Sequence, residues 1–202
     1  MIDPVTLLAF IPAALALNAT PGADMMFCLG QGMRSGPAAA WAASAGVALG
    51  GMIHVTLAGL GLGALIAAVP WAFNAVRWIG VAYLLVLAVQ AVRGHSSAEI
   101  KAVLPALAFR SGLLVNLTNP KVILFVLAFV PQFVVPEAGS VLGQFMILGL
   151  VQAIGGFVIN GLVGVYAGSL GRRMARGHRT LGWITGGIFA ALAVRLAIWE
   201  RA

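Results

Sequence analysis

Two short stretches of this apolar chain place a helix-breaking proline close to a charged residue. The first reads NATPGAD over residues 18–24, and the second reads NLTNPK over residues 116–121. Each contains an amide and a hydroxyl side chain, followed by Asp24 in one case and Lys121 in the other. Together they could hold a small zwitterion, because a carboxylate binds an ammonium group, and a lysine or an exposed helix N-terminus binds a carboxylate.

The composition indicates that these charges lie inside a membrane protein. The 202 residues are 61% hydrophobic and 8% charged, whereas a soluble domain carries about 25% charged residues. The net charge of +7 does not indicate nucleic-acid binding, because the basic residues cluster in loops and no aromatic-interleaved basic patch occurs. The only cysteine, Cys28, excludes an intramolecular disulfide and a two-cysteine redox pair. We therefore expect neither an enzyme nor a cofactor or metal site.

Apolar runs between charges and turn signals predict six membrane helices. They cover about residues 5–28, 38–67, 70–92, 109–131, 140–170 and 180–199. We interpret the first run as a helix and not as a cleaved signal, because no Lys or Arg precedes it and Asp3 stands there instead. Eight basic residues fall in the first, third and fifth connections, namely Arg34, Arg93, Lys101, Arg110, Arg172, Arg173, Arg176 and Arg179. The positive-inside rule then predicts that both termini face outward.

Six spans divide into two halves of three, so the second half enters the membrane from the opposite side. We predict an all-α integral membrane protein, a single transmembrane domain over residues 1–202, built as two inverted three-helix repeats. The repeats cover about residues 5–92 and 109–199, joined by a cytoplasmic linker over about 93–108. Matching residues of the second and fifth spans support this: Gly50, Gly51, Leu57, Gly59, Gly63 and Leu65 align with Gly155, Gly156, Leu162, Gly164, Gly168 and Leu170.

The two prolines predict that the first and fourth spans are broken helices. Proline disrupts a helix interior but suits the first helical position after a capping residue, so Thr20-Pro21 and Asn119-Pro120 indicate restarts within the membrane. Irregular backbone at that depth must be buried in protein or line a wet cavity. We therefore expect the two breaks to meet at a transport path, which would include Asn18, Thr20, Pro21, Asp24, His54, Asn116, Thr118, Asn119, Pro120 and Lys121.

These residues also have purely structural explanations. Asp24 and Lys121 either bind a zwitterion, pair with each other, or sit near helix ends and reach water, and Asp24 could also carry a coupling proton. His54 either relays protons or packs with its hydrogen bonds satisfied, and Pro21 and Pro120 could be kinks alone. Interhelical hydrogen bonds suffice to explain four other polar residues of the spans, namely Gln90, Gln144, Gln152 and Asn160.

Five motifs occur in order along the chain. They are TPGADMMFCLGQGMRSG, GVALGGMIH, GVAYLLVLA, FRSGLLVNLTNPKVILFVLAFVPQF and GIFAALAVRLA. In these motifs, and over nearly its whole length, the chain resembles the LysE/RhtB family of bacterial amino-acid exporters. The fourth motif, residues 109–133 with its Asn-Pro-Lys block, is the most specific. One departure is Ala23, since the family's first motif usually reads Pro-Gly-Pro.

The resemblance implies secondary active export of amino acids or close derivatives across a bacterial inner membrane, with the proton as coupling ion and antiport as the mechanism. It places Pro21, Gly22, Asp24, Asn116, Asn119, Pro120 and Lys121 around the transport path. The expected partners are an amino acid, a proton and the lipid bilayer. Glycine-rich helix faces would also allow a homodimer. The alternative is a metal or small-ion exporter of the same superfamily, which would need clustered intramembrane His, Asp or Glu ligands.

Overall fold

The computed structural model describes residues 2–61 and 104–166 in full and the backbone of residues 62–68. It also describes single positions between residues 78 and 89 and between residues 183 and 197, and each of them is helical. The predicted third and sixth spans therefore lie mostly outside the described residues. So do the predicted linker up to residue 103 and the predicted end of the fifth span, residues 167–170.

The described part of the chain is helical and contains no strand. The first half forms α1 (Pro4–Ala19), α2 (Ala23–Ser35) and α3 (Pro37–Ala68). The second half forms α4 (Pro105–Leu117), α5 (Pro120–Leu124) and α6 (Val141–Val165). A π-helical turn, Phe125–Phe129, and two 3-10 turns, Val130–Phe133 and Pro136–Ala138, connect α5 to α6.

Two of these helices, and two bent pairs, are apolar and long enough to cross a membrane. The single helices are α3, over Pro37–Gly61, and α6. The bent pairs are α1 with α2, which meet at 53°, and α4 with the continuation of α5 to Phe133, which meet at 52°. The chain therefore bends at both of the predicted breaks, and each bent pair is followed by a longer helix, α3 or α6.

The two restarts differ at their first residues. Pro120 occupies the first turn of α5 after the cap Asn119, as predicted. In the first half the prediction is wrong, because α2 begins at Ala23 with Gly22 as its cap, and Pro21 stays outside the helix. Thr20 has extended backbone, which agrees with the restriction that proline places on the preceding residue. Gly22 is extended as well.

Polarity along α6 is arranged with the polar residues inside. Its exposed face is apolar and repeats every four residues, as Leu150, Ile154, Val158 and Leu162. The opposite face buries polar side chains, namely Gln144, Gln152 and Asn160. A helix surrounded by lipid can expose leucine, isoleucine and valine, but must satisfy its amides within the protein.

Glycines let the backbones of neighbouring helices touch. A side chain at Gly46 in α3 would collide with the Phe109 carbonyl of α4, and one at Gly112 in α4 would collide with the Ala43 carbonyl of α3. Lipid gives helices no hydrophobic drive to associate, so close packing of small residues has to hold them together. Gly61, also in α3, faces open space.

A test of this packing compares two alanine substitutions in α3. Gly46→Ala should destabilise the protein by about 2 kcal/mol or more, because a methyl group meets backbone that cannot move aside. Gly61→Ala is the control and should be neutral or slightly stabilising, because alanine favours helix and has room there. The measurement is the melting temperature of the purified protein in detergent. Equal melting temperatures for the two variants would contradict the close α3–α4 contact.

Candidate functional site

The first helix break leaves a carbonyl group without its helical partner, and Lys121 supplies one. The Leu17 carbonyl would accept a hydrogen bond from the amide of residue 21 in a continuous helix, but Pro21 has no N–H. The Lys121 ammonium donates to the Leu17 carbonyl at 2.9 Å and to the Thr20 carbonyl at 3.0 Å. A cation also suits this position because the C-terminal end of a helix carries partial negative charge. Lys121 therefore joins the end of α1 to the first turn of α5.

Gly22 makes room for the Lys121 side chain. The ammonium nitrogen lies 3.3 Å from the point where a Cβ atom of residue 22 would stand, and two carbons of the same side chain lie within 4 Å of it. A larger residue at position 22 would push Lys121 away from the α1 carbonyls. The second half of the chain therefore gives a structural reason for a glycine at position 22.

The second break repeats this arrangement with a different side chain. Pro120 cannot donate to the Asn116 carbonyl, which instead accepts from the Asn119 amide at 2.9 Å. The same carbonyl lies 3.3 Å from Nε2 of His54 in α3. A carbonyl only accepts, so this hydrogen bond requires the proton to be on Nε2. The Asn119 side chain caps α5 by accepting from the Lys121 amide at 3.0 Å.

Asp24 lies in the first turn of α2 and is buried, with 7% of its surface exposed. Its Oδ2 accepts a hydrogen bond from Asn116 Nδ2 at 2.9 Å, so one break contacts the other. Its Oδ1 has no hydrogen-bond partner. The Lys121 ammonium donates to the two α1 carbonyls and not to this carboxylate. In this conformation the two charges are close neighbours but not a hydrogen-bonded pair.

A cavity with a volume of about 30 Å³ lies where the two breaks meet. That volume holds one or two water molecules. Five of the residues predicted from the sequence line it, namely Asn18, Thr20, Asp24, Asn116 and Lys121. Gln152 and Asn160 of α6, which the sequence analysis explained by helix packing alone, line it as well. They share one face of α6 with Gly156, at a spacing of four residues, and that pattern could have identified them.

Unsatisfied hydrogen-bond acceptors are concentrated around this cavity. Among the described residues, the buried oxygens without a partner are Asp24 Oδ1, Asn116 Oδ1, Gln152 Oε1 and Asn160 Oδ1, and all four belong to residues that line the cavity. The amide nitrogen Nδ2 of Asn119 is also buried and unpaired. Asn116 Oδ1 packs against Gly50 of α3. Buried polar atoms are normally paired, so such a cluster is typical of a site that receives a ligand or a proton.

Metal ligands are not grouped in the same way. Among residues 2–61 and 104–166, no three His, Cys, Asp or Glu side chains lie close enough together to hold a metal ion. The described residues therefore do not favour the metal-exporter alternative.

Comparison with known proteins assigns the chain to a family. The LysE type translocator family matches residues 15–200 of the chain. This protein belongs to the LysE family. It is a transmembrane translocator, and the apolar helices described above agree with that assignment. No solved structure gives a significant match.

The chain is similar to several bacterial membrane proteins, two of which are named as efflux proteins. A homoserine/homoserine lactone efflux protein of Salmonella typhimurium is 32% identical over 155 residues, which cover 75% of each chain. A leucine efflux protein of Klebsiella pneumoniae is 32% identical over 202 residues, which cover 94% of this chain and 93% of the relative. An uncharacterized membrane protein of Vibrio cholerae is 34% identical over 150 residues, 71% of each chain.

Not every residue predicted for the transport path reaches the cavity of this LysE-family protein. Thr118 is exposed, and its hydroxyl donates to the Leu114 carbonyl of its own helix. Pro120 is also exposed. Pro21, Gly22, His54 and Asn119 do not line the cavity but contact or hold residues that do.

The link between Pro21 and Lys121 can be tested by a double-mutant cycle. Lys121→Met should cost about 2 kcal/mol, because it leaves buried carbonyls of α1 unpaired. In a Pro21→Ala background the cost should be smaller, since an alanine amide can reach the Leu17 carbonyl. Melting temperatures of the four purified proteins would give the coupling.

Pro12 provides the control for this cycle. Unlike Pro21, it lies inside α1, where it is exposed, and the Lys121 ammonium bonds carbonyls at the end of that helix. The effects of Pro12→Ala and Lys121→Met should therefore add. Additive effects of Pro21→Ala and Lys121→Met would show that Lys121 does not compensate for the proline.

Proposed function

We propose that this LysE-family protein is a secondary active exporter of amino acids or close derivatives, with its substrate site where the two helix breaks meet. The observation that carries the proposal is Asp24, a carboxylate buried at a helix break with one oxygen unpaired beside a polar cavity. A charge at the centre of a membrane is costly and usually has a functional role. Two similar proteins are named for the efflux of homoserine and of leucine, which supports amino acids as the substrate class. We assign the protein no enzymatic reaction.

Transport through this site would use two inverted repeats of three spans each. Reciprocal contacts between the halves support the repeat. Asn116 of the second half packs against Gly50 of the first, and Asn18 of the first half packs against Gly155 of the second. The sequence alignment pairs Gly50 with Gly155, and Asn18 occupies the place in its break that Asn116 occupies in the other. Such exchanged contacts are expected when two similar halves rock against each other around a shared site.

Asp24 is also the residue we propose for proton coupling. It would bind a proton in exchange for the substrate, as carboxylates in the spans of many transporters do. Its neighbours Asn116 and Lys121 belong to the other half of the chain, so a change in its charge would affect the contact between the halves. Proton–substrate antiport would follow from this competition.

We place the protein in the bacterial inner membrane, as its membership of the LysE family implies. The basic residues of the odd-numbered connections would put both termini outside. The volume of the cavity, about 30 Å³, is too small for an amino acid, so the described conformation would have to open to admit substrate. A homodimer through glycine-rich helix faces is part of the same proposal.

Export by living cells tests the proposed function. Bacteria that carry the protein are loaded with dipeptides, and mass spectrometry of the medium identifies the amino acids that leave faster than from cells without it. We expect one or a few amino acids to leave faster, and Asp24→Asn to abolish the effect while membrane abundance stays near normal. Asp3→Asn is the matched control, because Asp3 caps the exposed start of α1 and asparagine also caps well. Full export by Asp24→Asn would rule out the role of Asp24.

The coupling ion can be tested in vesicles that contain the purified protein. An inward proton gradient should drive efflux of the exported amino acid, and a protonophore should reduce that efflux to the level of protein-free vesicles. Asp24→Asn should show no gradient-driven efflux. Efflux that is driven by a sodium gradient, and that the protonophore does not reduce, would contradict proton coupling. The substrate assignment would stand.

A further inference from the structure

Unpaired hydrogen-bond acceptors belong to residues around the cavity. Among the described residues, Asp24, Gln152 and Asn160 each have a buried side-chain oxygen without a partner, and each of these residues is more than nine-tenths buried. The Lys121 ammonium is the only positively charged group that lines the cavity among the described residues, and two of its three N–H groups donate to α1 carbonyls. A ligand group that donates hydrogen bonds would pair with the unpaired oxygens.

An ammonium group meets this requirement. It has three N–H donors and a positive charge, and it is close in size to a water molecule. The cavity, with a volume of about 30 Å³, has room for such a group. A carboxylate would instead add a second negative charge beside Asp24.

The positions of the acceptors suggest how the group is held. Asn116 fixes the Asp24 carboxylate through one oxygen and leaves Oδ1 unpaired. Gln152 and Asn160 lie eight residues apart on α6, about 12 Å along its axis, with Gly156 between them. An ammonium group beside Asp24 can then use one α6 amide at a time.

We propose that this cavity is an ammonium-recognition site, in which the substrate's amino group binds Asp24 together with the amide oxygen of Gln152 or Asn160. The inference rests on the proposed export function and goes further in one respect. It assigns Lys121 to the α1 carbonyls and not to the substrate carboxylate. The site would accept amines whose carboxylate is masked, and would reject amino acids whose amino group is masked.

Three probes separate the two ends of the substrate. They are the amino acid exported fastest from dipeptide-loaded cells, its carboxamide, and its N-acetyl derivative, each titrated into the purified protein by calorimetry. The amino acid and its carboxamide should bind with affinities within about threefold of each other, and the N-acetyl derivative should not bind. Asn160→Leu and Gln152→Met together should weaken both amines by about tenfold, the effect of one hydrogen bond to a charged group. Each single variant should weaken them by less, because the other amide stays available.

Two further variants show which residues recognise the substrate's amino group and which recognise its carboxylate. Gln132→Met is the control for the α6 amides, because the Gln132 side chain bonds only the Ala128 carbonyl in its own turn, and the affinities should not change. Lys121→Met should change the affinities for the amino acid and its carboxamide by the same factor. A structural effect on folding would lower the melting temperature of the variants without altering the preference among the three probes.

The outcomes distinguish this inference from the export function. If the N-acetyl derivative binds and the carboxamide does not, or if Lys121→Met weakens the amino acid alone, the carboxylate is read and the inference is overturned while export stands. A second outcome is that sodium chloride binds in the absence of any amine, and that Asn160→Leu abolishes sodium binding but leaves the affinities for the amines unchanged. The cavity is then a sodium site and the inference is also overturned. If no amino acid is exported and none binds, the export function and this inference fall together.

Discussion

A carbonyl group that proline leaves without a partner is the constraint on which this structure depends. In lipid no water can satisfy such a group, so another part of the protein must. Lys121 satisfies the Leu17 carbonyl at the first break, and His54 approaches the Asn116 carbonyl at the second. Each break is thus completed by a residue from the other half of the chain, which brings the two breaks together.

This requirement also explains the polarity of the protein. Helix α6 turns its leucine, isoleucine and valine side chains outward and its glutamine and asparagine side chains inward. Close glycine contacts, such as Gly46 against Phe109, replace the hydrophobic drive that assembles soluble proteins. The interior is consequently polar at one place, where Asp24, Asn116, Gln152 and Asn160 surround a cavity.

The same contacts relate structure to transport. Asp24 belongs to the first half, and its hydrogen-bond partner Asn116 belongs to the second. Lys121 bonds across the halves in the opposite direction. A proton or a substrate amino group at Asp24 would therefore alter a contact between two bent helix pairs whose bends, 53° and 52°, are nearly equal. Small local changes of charge can in this way favour one arrangement of the halves over the other.

Much of this could be derived from the sequence alone. The scarcity of charge determined that the protein is a membrane protein, and the prolines near Asn18 and Asn116 determined where its helices break, because both effects are local or compositional. The family resemblance followed from ordered motifs.

Only the tertiary structure decided the rest. It placed the start of α2 two residues beyond Pro21, and it set the Lys121 side chain beside Gly22. It brought Gln152 and Asn160 to the cavity and left Thr118 outside it. It also directed the Lys121 ammonium to carbonyls and not to Asp24, since a partner from another helix depends on packing that no local pattern encodes.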